Sequence, residues 1–180
     1  MKRIVLALGI LFVAAAVTTM ADDGGFGLGA GIVTAKDSNV SPLWLTANYR
    51  LMLADNVALE PEIGWYRVTD NFSGGDIIDT GDVHMDVFNG GGSLLLIYPL
   101  EKVAFFAGAG LGAHLYRFSG GSGSASTQTH VGYHGLAGVD VKASRRISLF
   151  GAVRYEIIHA DTIDFVKQWK IYGGVRFRSH

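Results

Sequence analysis

"VAFFAGAGLGAHLYRF", residues 103–118, sets Gly108, Gly110 and Gly112 in alternation with Ala109, Leu111 and Ala113. Read at period two, one face carries Val103, Phe105, Ala107, Ala109, Leu111, Ala113 and Leu115. The other carries Ala104, Phe106, Gly108, Gly110, Gly112, His114 and Tyr116. Alternation at this period is a strand signal, and so much glycine argues against a helix. An apolar strand with one continuous face of small residues needs a crowded partner on that side.

The same period recurs along the chain in segments of about ten residues divided by polar or turn-forming clusters, eight in all. The first spans Phe26 to about Thr34, with Phe26, Leu28, Ala30 and Ile32 opposite Gly27, Gly29 and Gly31. The second, Leu43 to Met52, sets Leu43, Leu45, Ala47, Tyr49 and Leu51 against Trp44, Thr46, Asn48 and Arg50. The third, Val57 to Thr69, sets Val57, Leu59, Ile63 and Trp65 against Glu60, Glu62 and Tyr66. Its Pro61 cannot donate to a ladder and predicts a bulge or local irregularity. The fourth begins with Val83, Met85 and Val87 alternating with His84 and Asp86, which reads Asp86 onto the charged face. The sixth starts at Val131, the seventh at Ile147 and the eighth at Trp169.

Short turns are expected at 53–56, 98–102 and 143–146, and longer loops at 70–82, 119–130 and 159–167, with a modest loop at 36–41. "SGGSGSASTQTH", 119–130, reads as a mobile loop. An even strand count with short turns at one end and longer loops at the other is the pattern of an outer-membrane barrel. The fold class is therefore all-β: an eight-stranded antiparallel up-and-down transmembrane β-barrel.

The segment before the first strand fits that destination. Lys2 and Arg3 precede an apolar run from Ile4 to Val17, and Thr19-Met20-Ala21 offers a small-residue cleavage site. Fourteen apolar residues are too few for a spanning helix, which needs about 20, so residues 1–21 read as a cleaved signal peptide and 22–180 as the barrel domain. Without Lys2 and Arg3 the chain has thirteen Lys and Arg against sixteen Asp and Glu, a formal charge of −3, and no nucleic-acid partner is expected. With no Cys, the fold stands without disulfides.

Periodicity alone does not tell inside from outside, because a soluble lipocalin-type barrel reverses the faces. Three observations favour the membrane version. The apolar faces carry no charge over seven clear strands. Aromatics fall near strand ends, with Phe26, Phe105 and Phe177 at the turn end and Trp65, Tyr133, Tyr155 and Trp169 at the loop end, as interfacial girdles require. A glycine-rich face also makes a poor soluble exterior. The glycines then point inward, making room for Arg50, Glu60, Glu62, Arg154, Glu156, Lys170 and Arg176.

These residues resemble the small eight-stranded outer-membrane barrels of Gram-negative bacteria, of the OmpA, OmpX and opacity-protein kind. The resemblance covers the whole mature chain and is one of pattern. "WKIYGGVRF", 169–177, is similar to the family's closing strand ending in an aromatic, here Phe177, although Arg178, Ser179 and His180 follow it. It implies the outer membrane as location, contact with its lipids and lipopolysaccharide, and engagement of the barrel-assembly machinery through that strand. A monomer is expected.

Candidate chemistry is sparse. His130 and His134, four apart on a strand, lie about 13 Å from one another and make no ligand pair. Approximate hairpin symmetry places Asp86, His114, His134, Glu156 and Lys170 in an inward belt on neighbouring strands, read as a polar network plugging the barrel. A metal or ligand site there is the lesser reading. Lipid A deacylases on this scaffold use a His and a Ser two residues apart near the end of the seventh strand. Here that stretch is His159-Ala160-Asp161, with no nucleophile, so no catalytic residue, no metal site and no cofactor is expected. "GAGLGA", 108–113, lies within a strand and carries no nucleotide site. The expected role is structural or surface-exposed, with a packed polar interior and low or no conductance. A narrow pore or small-solute binder is the alternative, and an outer-membrane lipid-modifying enzyme the third.

Overall fold

The computed structural model describes residues 24–35, 41–70, 83–119, 126–160 and 163–178. Eight strands occupy almost all of this: β1 (Gly25–Ala35), β2 (Leu43–Ala54), β3 (Val57–Asp70), β4 (Val83–Pro99), β5 (Val103–Ser119), β6 (Ser126–Lys142), β7 (Ile147–Ala160) and β8 (Ile163–Arg178). Each pairs antiparallel with its neighbours in sequence, and β1 closes on β8 from Gly25↔Arg178 to Ala35↔Gln168, giving a closed barrel. Closure removes both sheet edges, so every strand has two ladder partners. The expected signal peptide and most of the expected loop 70–82 lie outside the described residues.

Inside and outside follow the side-chain alternation. In β5, Phe106 and His114 are buried while Phe105 and Leu111 are exposed. The outward apolar set, exposed in the bare chain, is the surface that hydrocarbon covers: Leu28, Ile32, Leu45, Ile63, Leu94, Leu111, Val153 and Ile171 all belong to it. Aromatics bracket this band. At the turn end, Phe26 sits between Tyr49 and Phe177, and Tyr98 opposes Phe105. At the loop end, Trp65 opposes Phe88, and the rings of Tyr155 and Trp169 have centroids 4.7 Å apart.

Three expectations are refined or corrected. No bulge forms at Pro61, which lies opposite Gly92 in an unshifted register, but the expected local irregularity is there: the β2–β3 pairs are interrupted between Asn48↔Glu62 and Leu51↔Leu59, and the register itself shifts only at Met52/Ala54, where the hairpin turns, and at Ile158/Ala160. Pro61 faces outward and its missing donor costs the ladder a bond without inserting a residue. The hairpins also run further than expected: β6 begins at Ser126, paired with Phe118, and β7 and β8 continue to Ala160 and from Ile163. The polar residues 126–130, taken as loop, extend the ladder because backbone pairing carries on wherever the neighbouring strand does.

The third expectation concerns β4. Val87 and Leu95 are fully buried and Phe88, Leu94 and Leu96 exposed, so Met85 and Val87 belong to the inward phase and Asp86 to the outward one. Charges are driven inward only at hydrocarbon depth. Asp86 lies beyond the Trp65–Phe88 rung, where the outer face meets the membrane interface. The inward Met85 and Val87 join an apolar cluster with Trp44, Tyr66, Leu95, Phe106, Leu136, Phe150 and Tyr172.

Candidate functional site: the inward polar clusters

Among the described residues the buried charged groups are four cations, Arg50, Arg154, Lys170 and Arg176, and four carboxylates, Glu60, Glu62, Asp140 and Glu156. They fall into two groups at different heights.

Toward the turn end, Arg50, Glu60, Arg176 and Asp140 form a closed ring of alternating sign. Arg50 donates to Glu60 at 2.7 Å and to Asp140; Arg176 donates to Glu60 at 2.9 Å and to Asp140 at 2.5 Å. Each guanidinium also lies over a ring, Arg50 4.4 Å from the centroid of Phe106 and Arg176 4.9 Å from that of Phe150. Planar guanidinium groups suit this arrangement because they donate in plane while stacking on an aromatic face.

Toward the loop end, Arg154 makes a bidentate pair with Glu62 at 2.6 and 2.8 Å. Beside it, Glu156 collects three partners: Lys170 Nζ at 2.8 Å, Gln168 Nε2 at 2.6 Å and His114 Nε2 at 3.0 Å. Lys170 lies 4.7 Å from the ring centroid of Trp44, whose Nε1 donates to Asn89 at 3.2 Å. His134 shares a 2.7 Å hydrogen bond with Ser93 through Nε2.

Of the expected belt, His114, His134, Glu156 and Lys170 do come together. Asp86 does not. It faces outward and accepts from Arg67 at 2.8 and 3.1 Å and from Trp65 Nε1 at 3.2 Å. The registers reflect both outcomes. His134 opposes Glu156 as expected, but His114 opposes His130, and Asp86 opposes Arg117. A slip of four residues keeps His114 on the inward face, whereas a slip of three puts Asp86 on the other side.

Sequence reasoning missed Ser93, Gln168 and Asn89. Ser93 and Asn89 lie in the Gly-rich stretch of β4 whose alternation is blurred, and Gln168 lies between the expected loop 159–167 and the expected strand start at Trp169. The Ser93–His134–Glu156 series has the residue order of a nucleophilic triad, but His134 Nδ1 is 3.9 Å from Glu156 Oε1, too far for the orienting bond. The carboxylate is taken by His114, Lys170 and Gln168 instead.

The opening glycines are now accounted for. A side chain at Gly108 would meet first the backbone oxygen of Leu94 and then Leu95 at 2.8 Å, and one at Gly110 first the backbone oxygen of Gly92 and then His134 Nε2 at 2.6 Å. At Gly112 there is space. Gly112 borders a small cavity lined by Glu62, Asn89, Ser93, His114, His134 and Arg154, with room for about one water molecule. Among the described residues no group of three or more His, Cys, Asp or Glu could hold a metal ion.

A closed barrel with a lipid-facing exterior, aromatic girdles and internal charges matches the family profile "Outer membrane protein beta-barrel domain" over residues 4–177. The chain belongs to that family. As a member it is an outer-membrane protein. Its fold is similar to Neisserial surface protein A, at 18% identity and TM-score 0.65, covering 88% of this chain and 97% of that one. It is also similar to Ail, the attachment invasion locus protein of Yersinia pestis, at 15% identity and TM-score 0.55, covering 86% and 97%. A third is the N-terminal barrel domain of Pseudomonas aeruginosa OprF, at 13% identity and TM-score 0.55, covering 86% and 96%. At these identities the likeness is one of fold. A search of curated protein sequences found no match.

Proposed function

We propose that this outer-membrane barrel is a structural, surface-exposed protein with a packed polar interior and low or no conductance. The observation that carries this reading is the charge balance inside: among the described residues four buried cations lie within hydrogen-bonding distance of four buried carboxylates. Opposite charges held this close lower the electrostatic need for ions in the lumen, although Asn48 Nδ2, His114 Nδ1, Arg154 Nε and Arg176 Nε are buried without a hydrogen-bond partner among the described residues. Side chains fill an eight-stranded barrel to this degree when inward glycines alternate with long residues.

The outward band implies contact with outer-membrane lipids and lipopolysaccharide, and the closing strand to Phe177 is the segment offered to the barrel-assembly machinery. The chain acts as a monomer without a cofactor. It is not an enzyme in this reading, since His159 is followed by Ala160 and Asp161 where a nucleophile is needed. A narrow pore or small-solute binder is favoured only by the cavity beside His114 and Gly112, and that space suits a water molecule better than a solute.

Solute flux separates the readings. Vesicles carrying the purified protein and loaded with a small sugar should release it no faster than empty vesicles. Release that scales with protein density makes the barrel a pore.

A further inference from the structure

At the turn end, basic residues are not spread evenly. Lys102 precedes β5, Lys142 ends β6, Arg145 and Arg146 form the turn into β7, and Arg178 ends β8. Five cations thus line the rim across four consecutive strands, a span of about 15 Å at ordinary strand spacing. Glu101 is the one acid among them. On the other half of the rim, the β2–β3 turn carries Asp55 and no cation.

The backbone fixes this half-rim. Lys142 N donates to Lys102 O at 2.9 Å, and Arg178 N donates to Arg146 O at 2.9 Å, tying the turns and the last strand together. Ser144 Oγ accepts from Arg146 N at 3.3 Å and Ile147 N at 3.1 Å. Yet Lys102, Lys142, Arg145 and Arg146 are exposed, and none of the four has an ion pair among the described residues. Four exposed cations held close together, with Glu101 the one acid beside them, leave a net positive charge that favours an anion.

The position selects the anion. Tyr98, Leu100, Phe105 and Phe177 are exposed on the outward face within a few residues of the cations. Aromatics at that level mark the membrane interface, and Lys and Arg stems reach along such surfaces to place their charge among headgroups. Short turns of outer-membrane barrels face the periplasm, so the leaflet in question is the inner one.

We infer that the basic half-rim of Lys102, Lys142, Arg145, Arg146 and Arg178 binds the phosphodiester headgroup of anionic phospholipid in the periplasmic leaflet. The site holds the barrel at a fixed depth and enriches anionic lipid along the β5–β8 wall. Attraction of this kind falls steeply within a Debye length and is weakened by salt.

The test uses full-length mature protein in phosphatidylcholine vesicles containing trace spin-labelled phosphatidylglycerol or spin-labelled phosphatidylcholine. The motionally restricted fraction gives the relative association constant of the two lipids. Wild type should prefer phosphatidylglycerol several-fold at low salt and lose the preference at high salt. K102Q/K142Q/R145Q/R146Q should bring the ratio close to one with an unchanged strand circular dichroism spectrum. R67Q/R117Q, which removes exposed cations at the loop end, should keep the preference. A rim variant that retains the preference, or a loop-end variant that alone loses it, overturns the proposal. Inorganic phosphate that abolishes the preference assigns the site to free phosphate and overturns it too. So does a rim variant that loses binding to isolated peptidoglycan while keeping its lipid preference.

Discussion

His114 on β5 reaches past β6 to place Nε2 3.0 Å from Glu156 Oε1 on β7, with both side chains almost wholly shielded from solvent. The strands are not neighbours, so this contact crosses the lumen side of β6 and ties three strands together. Lys170 and Gln168 on β8 meet the same carboxylate, which makes Glu156 the hub of the upper cluster.

Removing the hub leaves a buried ammonium without its partner. Glu156→Ala should cost about 3–5 kcal/mol in urea unfolding from lipid vesicles, the range for breaking a buried pair from one side. Glu156→Gln combined with Lys170→Met removes both charges and should cost less than Glu156→Ala alone. Equal losses in the two variants would show that the pair's charge is not what matters.

His114→Ala deletes one partner of Glu156 and should cost about 1–3 kcal/mol in the same measurement. Zn²⁺ should not raise wild-type stability, since the described residues offer no metal-binding group. A Zn²⁺-dependent rise that His114→Ala abolishes would turn the cluster into a metal site.

The two glycines two residues apart should behave differently. Gly110→Ala pushes a methyl against the Gly92 backbone oxygen and the His134 ring and should cost about 1–3 kcal/mol as overpacking. Gly112→Ala meets only ordinary contacts, the nearest at 3.4 Å, and should leave the unfolding midpoint close to wild type. Similar losses at both positions would place the cavity elsewhere.

How much of this was legible depends on the range of the signal. Inside and outside are local, set by alternation within one strand, and Phe105 against Phe106 or Leu149 against Phe150 could be read without knowing any partner. Pairing is not local. The β5–β6 register depends on where the hairpin ends, and the polar residues 126–130 continue as strand though nothing in their composition says so. Asp86 failed for a different reason. The rule that charge points inward applies at hydrocarbon depth, and the sequence of β4 does not mark where the membrane stops. Its glycines at 90–92 blur the alternation that would have placed Ser93 and Asn89 inside.

The outward assignment has its own check in vesicle unfolding. Leu111, 66% exposed near the middle of β5, faces hydrocarbon, and Leu111→Arg should cost about 2–4 kcal/mol there. Asp86→Ala, at the interface, should leave the midpoint unchanged. The reverse pattern would mean that the faces of the barrel are exchanged.

Electrical recording in a planar bilayer tests the central claim most directly. If the alternating ring of Arg50, Glu60, Arg176 and Asp140 and the cluster around Glu156 close the lumen, inserted wild-type protein should give no stable current steps at any salt concentration. Reproducible steps of one size, growing in proportion to salt concentration, would contradict the account, because they require a continuous aqueous path through both layers.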